Sequence, residues 1–367
     1  MLSSPAFQRW SMRIPVFRMI ARHHATAMFG VITGFVYTKT LTAAVDAGVI
    51  SALAQAPATT AALAKAAGLE IPAMQRLLAA ARSIDLVEPV DAERWTLGQR
   101  GAALASNTGA LAMIEHHKIF YDDLADPLAM LRSGRGGGKL AAFWTYAHAA
   151  GTGAPASDDD AAFGQGNVSG GTAPYSALMA ASQPMVAQQV LDAHDFGRHR
   201  HMLDIGGGHG AFLAEVAGRH PGLQLSLFDL PAVAEGARAT LAARGLGNVT
   251  CHGGSFRDDA LPGGADLVSL VRILHDHDDD VVQALLTKVR AMLPKGGRLL
   301  IAEPMAGTPG AEAMGDAYFG LYLWAMGSGR PRTAAAYLAM LRAAGFARAR
   351  EVATGLPMVT RLIVATA

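Results

Sequence analysis

Two residues of this 367-residue chain stand where a proton could be moved during a reaction. His275 follows the apolar run 267–274, and Glu303 ends the run 298–302. Both runs have the continuous aliphatic character of strands buried on two faces. Both side chains therefore fall at carboxyl ends of strands, on the rim where open parallel sheets bind ligands. An imidazole suits a general base near neutral pH. A carboxylate on its second ring nitrogen would fix its orientation and stabilise the imidazolium that forms. The chain has thirteen histidines, and most such residues serve the surface or the core; position is what singles out His275.

A second constellation points to a cofactor. HMLDIGGGHGA at 201–211 reads as a strand running into a glycine-rich turn and then a helix. Gly206, Gly208 and Gly210 let the backbone turn sharply and approach a ligand closely. The glycines alone fit either a nicotinamide dinucleotide or S-adenosyl-L-methionine. Asp204, just before them, tilts the choice: it would repel a pyrophosphate but suits a sulfonium and an amino group. Asp229 ends the next strand, where a carboxylate accepts hydrogen bonds from both ribose hydroxyls. The bland alternative is that both acids merely cap helices. Arg272, late in the run that leads to His275, offers a guanidinium to the cofactor carboxylate. Asp276, His277, Asp278, Asp279 and Asp280 invite a metal reading. Acids directly before the helical stretch 281–293 are also what a helix N-terminus favours, so no metal site is assigned.

Tyr318, Tyr322 and Met326 are spaced i, i+4, i+8 and make one apolar stripe, with Phe319 and Met314 nearby. Such a stripe is either core or the wall of an acceptor pocket; its place after Glu303 favours the wall. Sixteen methionines suit a pliable pocket for a long apolar substrate.

The elements that position these groups follow from pattern. From about residue 199, strands at 202–205, 224–229, 249–252, 267–274 and 298–303 alternate with helical stretches, which predicts a doubly wound parallel sheet. Segments 348–353 and 359–366 are expected to form an antiparallel hairpin at its edge. The stretch 1–55 reads as helix. The region 59–100 has a winged-helix outline: helices at 60–67 and 71–84, then short extended pieces at 86–90 and 95–97. Residues 110–195 read as helices broken by two surface loops, the glycine run 133–138 and the segment 151–171 with Asp158, Asp159 and Asp160. The expected domains are 1–195, helical, dimerising and substrate-enclosing, and 196–367, Rossmann-like and cofactor-binding.

Composition limits the rest. Apolar residues make up 51% and charged residues 17%, enough to bury two cores rather than stay disordered. A formal charge of +1 provides no global field for nucleic acid. The helix at 71–84 carries only Arg76 and Arg82 beside Gln75, which argues against the competing function of a winged-helix DNA-binding regulator. Cys251 is the single cysteine, in keeping with a reducing cytoplasm. The longest apolar candidate, 35–53, is interrupted by Lys39 and Asp46, so no membrane span is expected. The N-terminus carries Arg9, Arg13, Arg18 and Arg22 with no acid before Asp46. It is expected to pack against a second copy, with peripheral contact to anionic lipid at the inner membrane as the other use of the same helix.

LDIGGG at 203–208, FDLP at 228–231, GGSF at 253–256 and LHDH at 274–277 resemble the plant-type S-adenosylmethionine-dependent O-methyltransferases along the whole chain. The resemblance implies that Leu230 and Phe256 flank the adenine. Ser255 stands where that family commonly has an aspartate near the adenine, and His277 stands where it has a tryptophan. The same resemblance names His275 as the base. The family motif G-K-E-R-T, which supplies a second orienting glutamate, is matched by Gly329-Arg330-Pro331-Arg332-Thr333, and Pro331 has no carboxylate. SPAFQRW at 4–10, GFVY at 34–37, SFRDD at 255–259, LVRILHDHDD at 270–279 and AMGSGRPRT at 325–333 are further similar to bacterial carotenoid O-methyltransferases. These methylate the tertiary hydroxyl of acyclic carotenoids such as demethylspheroidene. A phenolic or other secondary-metabolite acceptor is the alternative.

Overall fold

The computed structural model describes residues 4, 7, 9, 10, 13–143 and 173–367. The expected loop 151–171 lies outside the described residues. The chain divides into two compact units, 1–115 and 116–367. This division falls well before the expected boundary at 195. The physical reason is packing: helix Ala173–Ala193 lies against helix Ala211–Arg219, and Lys139–Phe143 lies against Phe319–Met326, so these helices belong with the sheet.

The first unit opens with a long helix, α1 (Pro15–Asp46), started by Pro15 in its first turn. By length and composition this helix, one such among the described residues, could cross a membrane, although only its far end is buried, at Ala44. It packs on Val49–Gln55 and Ile71–Ser83. Thr59 caps Thr60–Ala67 by accepting from the Ala62 amide, and Gly68 ends that helix in the left-handed conformation. Helices Thr60–Ala67 and Ile71–Ser83 lie in the chain between β1 (Ala58–Thr59) and the pair β2 (Val87–Pro89) and β3 (Arg94–Leu97); the three strands form a small antiparallel sheet with β3 in the middle, which is the winged-helix outline.

The second unit is built on a seven-stranded sheet. Five parallel strands, β4 (His201–Ile205), β5 (Gln224–Asp229), β6 (Thr250–Gly253), β7 (Leu267–Val271) and β8 (Arg298–Glu303), are completed by the antiparallel pair β9 (Arg348–Val352) and β10 (Arg361–Thr366). The order is β6-β5-β4-β7-β8-β10-β9. Two apolar layers cover its faces, one around Phe212, Leu213 and Val216, the other around Leu285, Leu286 and Leu341. The chain leaves β4 toward β5 on one side, and β7 lies on the other. The carboxyl ends of β4 and β7 therefore flank the switch point where such sheets bind ligands. Strand β7 stops at Val271, short of the expected 274: Arg272 turns left-handed (φ 59°), and 274–276 form a 3₁₀ turn.

Candidate active site

The turn after β4 is fixed by its own packing. Gly206 has φ +70°, a conformation that residues with side chains rarely adopt, and a Cβ there would also press on the Ile273 side chain at 2.4 Å, so the position favours glycine. At Gly208 a built Cβ meets nothing within 4 Å, so this part of the loop faces open space. Gly208 donates its amide to Asp229 Oδ2 at 2.8 Å, while Asp229 Oδ1 accepts from the Leu230 amide at 2.7 Å. Burial raises the Asp229 pKa, and the two amides partly offset that. Leu230 starts helix Pro231–Ala243 directly behind this carboxylate.

Asp204 is placed differently from its expected role. Its side chain is 2% exposed and accepts from the Ser269 hydroxyl, and a Cβ at Gly207 would sit 2.8 Å from its Oδ2. The carboxylate lies under the loop rather than on its open side. Burial pushes its pKa up to about 7. Phe256 meets the His277 ring edge-on at 5.1 Å. Ser255 turns inward on its own loop, with its hydroxyl donating to Asp258 at 2.9 Å and its amide to Asp259 at 2.8 Å. The missing aspartate at 255 is thus accompanied by two carboxylates slightly further along the same loop.

His275 and Glu303 come together. Glu303 is fully buried; its Oε1 accepts from the amides of Ile273 at 2.9 Å and Leu274 at 2.7 Å, and its Oε2 lies 2.5 Å from His275 Nδ1. One carboxylate therefore holds both the imidazole and the turn that presents it. Asp276, assigned from sequence only to a helix start, turns back so that Oδ1 is 3.2 Å from His275 Nε2. Burial would lower the His275 pKa, but the carboxylates of Asp276 and Glu303 outweigh it, and the net direction is upward. Burial also pushes Asp276 up to about 6, against the pull of His275. Arg272 donates to Ser182 at 2.7 Å, and its charge acts on His275, Asp276 and Tyr318. His277 is driven down to about 4 by burial and then by Arg257, which makes it neutral at pH 7.

The segment with Pro331 works through its neighbours. Arg332, 1% exposed, donates to the carbonyls of Leu274 and His277, both at 2.7 Å, and pairs with Asp279 at 2.6 Å. The Arg330 amide donates to the His275 carbonyl at 2.9 Å, and the Ser328 hydroxyl donates to that of Asp276 at 2.8 Å. A Cβ at Gly329, where φ is +76°, would lie 2.0 Å from the His275 carbonyl oxygen. The glycine run 133–138, expected as a plain surface loop, joins this clamp: Arg135 donates to the Gly329 carbonyl and pairs with Asp278 at 3.0 Å.

The aromatic stripe meets His275 through Phe319 and is buried core at Tyr322 and Met326. Phe319 meets the His275 ring edge-on at 5.6 Å. The Tyr318 hydroxyl is 2.8 Å from His117 Nε2, and that of Tyr322 is 2.7 Å from His116 Nε2. Burial lowers both histidines, His117 to about 4, so both pairs are uncharged at neutral pH. Met326 is 2% exposed, inside a cluster with Phe120, Met130 and Leu140. His116 and His117 are not singled out by the sequence, and Asp276 is read there only as part of a helix start. Each tyrosine lies far along the chain from its histidine, and no local pattern reports that pairing.

The chain is similar to known proteins. The model of the O-methyltransferase domain matches residues 121–347, and that of the O-methyltransferase dimerisation domain matches 29–107. Demethylspheroidene O-methyltransferase of Cereibacter sphaeroides is 42% identical, over 94% of this chain and 87% of that protein. Its counterpart in Rhodobacter capsulatus is 39% identical, over 96% and 85%. Human N-acetylserotonin methyltransferase, solved with SAM, shares the fold at a TM-score of 0.74 and 23% identity, covering 94% of this chain and 97% of that one. The match to a dimerisation module and to a small-molecule enzyme agrees with a chain that buries its histidine–carboxylate pair beside a glycine loop. This protein belongs to the O-methyltransferase family, and it is an S-adenosylmethionine-dependent O-methyltransferase.

Proposed function

We propose that the enzyme methylates the tertiary hydroxyl of an acyclic, demethylspheroidene-like carotenoid in carotenoid biosynthesis, with His275 as general base. The observation that carries the reading is the buried His275–Glu303 pair on the rim beside the glycine loop, in a chain 42% identical to a demethylspheroidene O-methyltransferase. The residues present fit the cofactor. Gly208 borders open space, and Asp229 uses one acceptor site on each oxygen, which leaves capacity for two ribose hydroxyls. Leu230 and Phe256 would flank the adenine, Ser255 with its companion carboxylates would lie near its edge, and Arg272 would face the carboxylate. Asp204, beneath the loop, would act on the cofactor only by supporting that loop.

S-adenosylmethionine supplies an electrophilic methyl group on a sulfonium with a neutral leaving group. The protein's share is alignment and removal of one proton. His275 Nε2 takes the proton of the acceptor hydroxyl, Nδ1 stays bonded to Glu303, and the imidazolium is stabilised there. A tertiary alcohol is far less acidic than a phenol, so proton removal accompanies attack rather than preceding it. Tyr318, Phe319 and Tyr322 would line the acceptor site with their rings, since the tyrosine hydroxyls are engaged by His116 and His117. Such a wall would favour a polyene over a polar phenol.

The protein carries the family's dimerisation domain and acts as a homodimer. We place it in the cytoplasm, on the support of a single, buried Cys251, with peripheral contact at the inner membrane. A mass-shift assay with S-adenosylmethionine tests the reading by offering hydroxylated acyclic carotenoids beside phenols. A gain of one methyl on the carotenoid is expected; methylation of phenols alone would overturn the acceptor assignment.

A further inference from the structure

Helix α1 is longer than the family's dimerisation match, which begins at residue 29. The part upstream has its own character. Five of the 31 basic residues and none of the 30 acidic residues lie before Asp46, so the remainder holds 26 bases against 30 acids and the net positive charge is concentrated at this end. Val16, Phe17, Met19 and Ile20 are 61%, 43%, 68% and 45% exposed, and Trp10, half exposed, packs its ring 5.9 Å from that of Phe17. At about 3.6 residues per turn, Val16 and Ile20 lie on one side of the helix and Arg18 and Arg22 on the opposite side. A basic face, a bulky apolar face and a tryptophan at the junction are the attributes of a helix lying in a lipid interface.

We propose that the first turns of this helix, residues 15–24, together with Trp10 and Arg13 just before it, dock on an anionic phospholipid surface, while residues 29–46 of the same helix serve the partner subunit. A second copy is the poorer occupant of the upstream part, because it would bring Arg13, Arg18 and Arg22 of both chains together with no acid in the segment to offset them. A spanning helix is also the poorer reading. Its far half packs on Val49–Gln55 and Ile71–Ser83, and a span would have to hold Arg18, Arg22 or Lys39 in hydrocarbon. Docking would bring the site to where a polyene resides; in that purpose the proposal rests on the lipophilic-acceptor reading, while the surface itself does not depend on it.

The full-length protein is floated with phosphatidylglycerol vesicles and, separately, with phosphatidylcholine vesicles at low and high salt. Flotation with the first only, reversed by high salt or alkaline carbonate, is expected. Arg18→Gln with Arg22→Gln, and separately Trp10→Ala, should each lower recovery with phosphatidylglycerol at least tenfold. Both should leave dimer mass and turnover of detergent-dispersed acceptor unchanged. Equal recovery with both lipids, variants that float like the wild type, a shift to monomer, or retention after carbonate would each overturn the proposal. If flotation behaves as expected while only phenols are methylated, the docking surface stands and the carotenoid reading falls.

Discussion

At the scale of single residues, the imidazole of His275 lies between two carboxylates, and each has a separable consequence. His275→Ala should lower turnover by about 10²- to 10⁴-fold while calorimetry finds cofactor affinity unchanged, because the base acts on the acceptor alone. Glu303→Gln should be milder, and the double variant little worse than His275→Ala, since the two act as one unit. Additive losses would break that assignment. Asp276 holds the imidazole pKa up, so the acid limb of kcat/KM should rise at a pH above the ordinary histidine range. Asp276→Asn removes that support, and the limb should move to lower pH; an unmoved limb would show that Asp276 does not act on His275. Asp204 supplies a stability test. Its folded pKa of about 7 exceeds its unfolded value, so its contribution is present at low pH and is lost as pH rises toward 7. Asp204→Asn should therefore gain in Tm over the wild type as pH increases from 4 to 7, and an unchanged difference would contradict the buried placement.

At the scale of elements, the strands were legible where the chain is monotonously aliphatic. Segments 224–229 and 298–303 match β5 and β8 at both ends, and the late pair does form an antiparallel hairpin on the edge. The expected run 267–274 failed at its end because a left-handed Arg272, not a glycine or proline, ends the strand, and arginine carries no local signal for that conformation. The pairing of His275 with Glu303 was legible from their place at strand ends. The clamp made by Ser328 to Arg332 and Arg135 was not, since its bonds run to backbone carbonyls that any sequence would offer. Two variants test that clamp. Arg332→Leu leaves the Leu274 and His277 carbonyls without this donor, at about 1–3 kcal/mol each, and should lower kcat as well as Tm. Gly329→Ala drives a methyl into the His275 carbonyl and strains a left-handed backbone, so Tm should fall by about 5 °C or more. Normal turnover and Tm in either would show that the segment does not hold the histidine.

At the scale of the whole molecule, the exposed apolar residues of the second half of α1 are where the partner subunit is expected to pack. Val31, Ile32 and Phe35 are 78%, 63% and 70% exposed, a stripe that a monomer would leave in water. Ile32→Asp with Phe35→Asp should give a monomeric mass by light scattering at micromolar concentration, where the wild type gives twice the chain mass. A dimer that survives both charges would place the interface elsewhere. The order of strands has one more effect, on the birth of the protein. Residues 298–303, which end on Glu303, receive their outer neighbour only from 361–366, and that neighbour in turn lies between them and 348–352. On a ribosome, the edge of β8 stays open until the chain has been made almost to its end. The site can take shape only after synthesis has moved well past Glu303, and during that interval a bare aliphatic strand edge is exposed to misassembly and to the chaperones that guard against it.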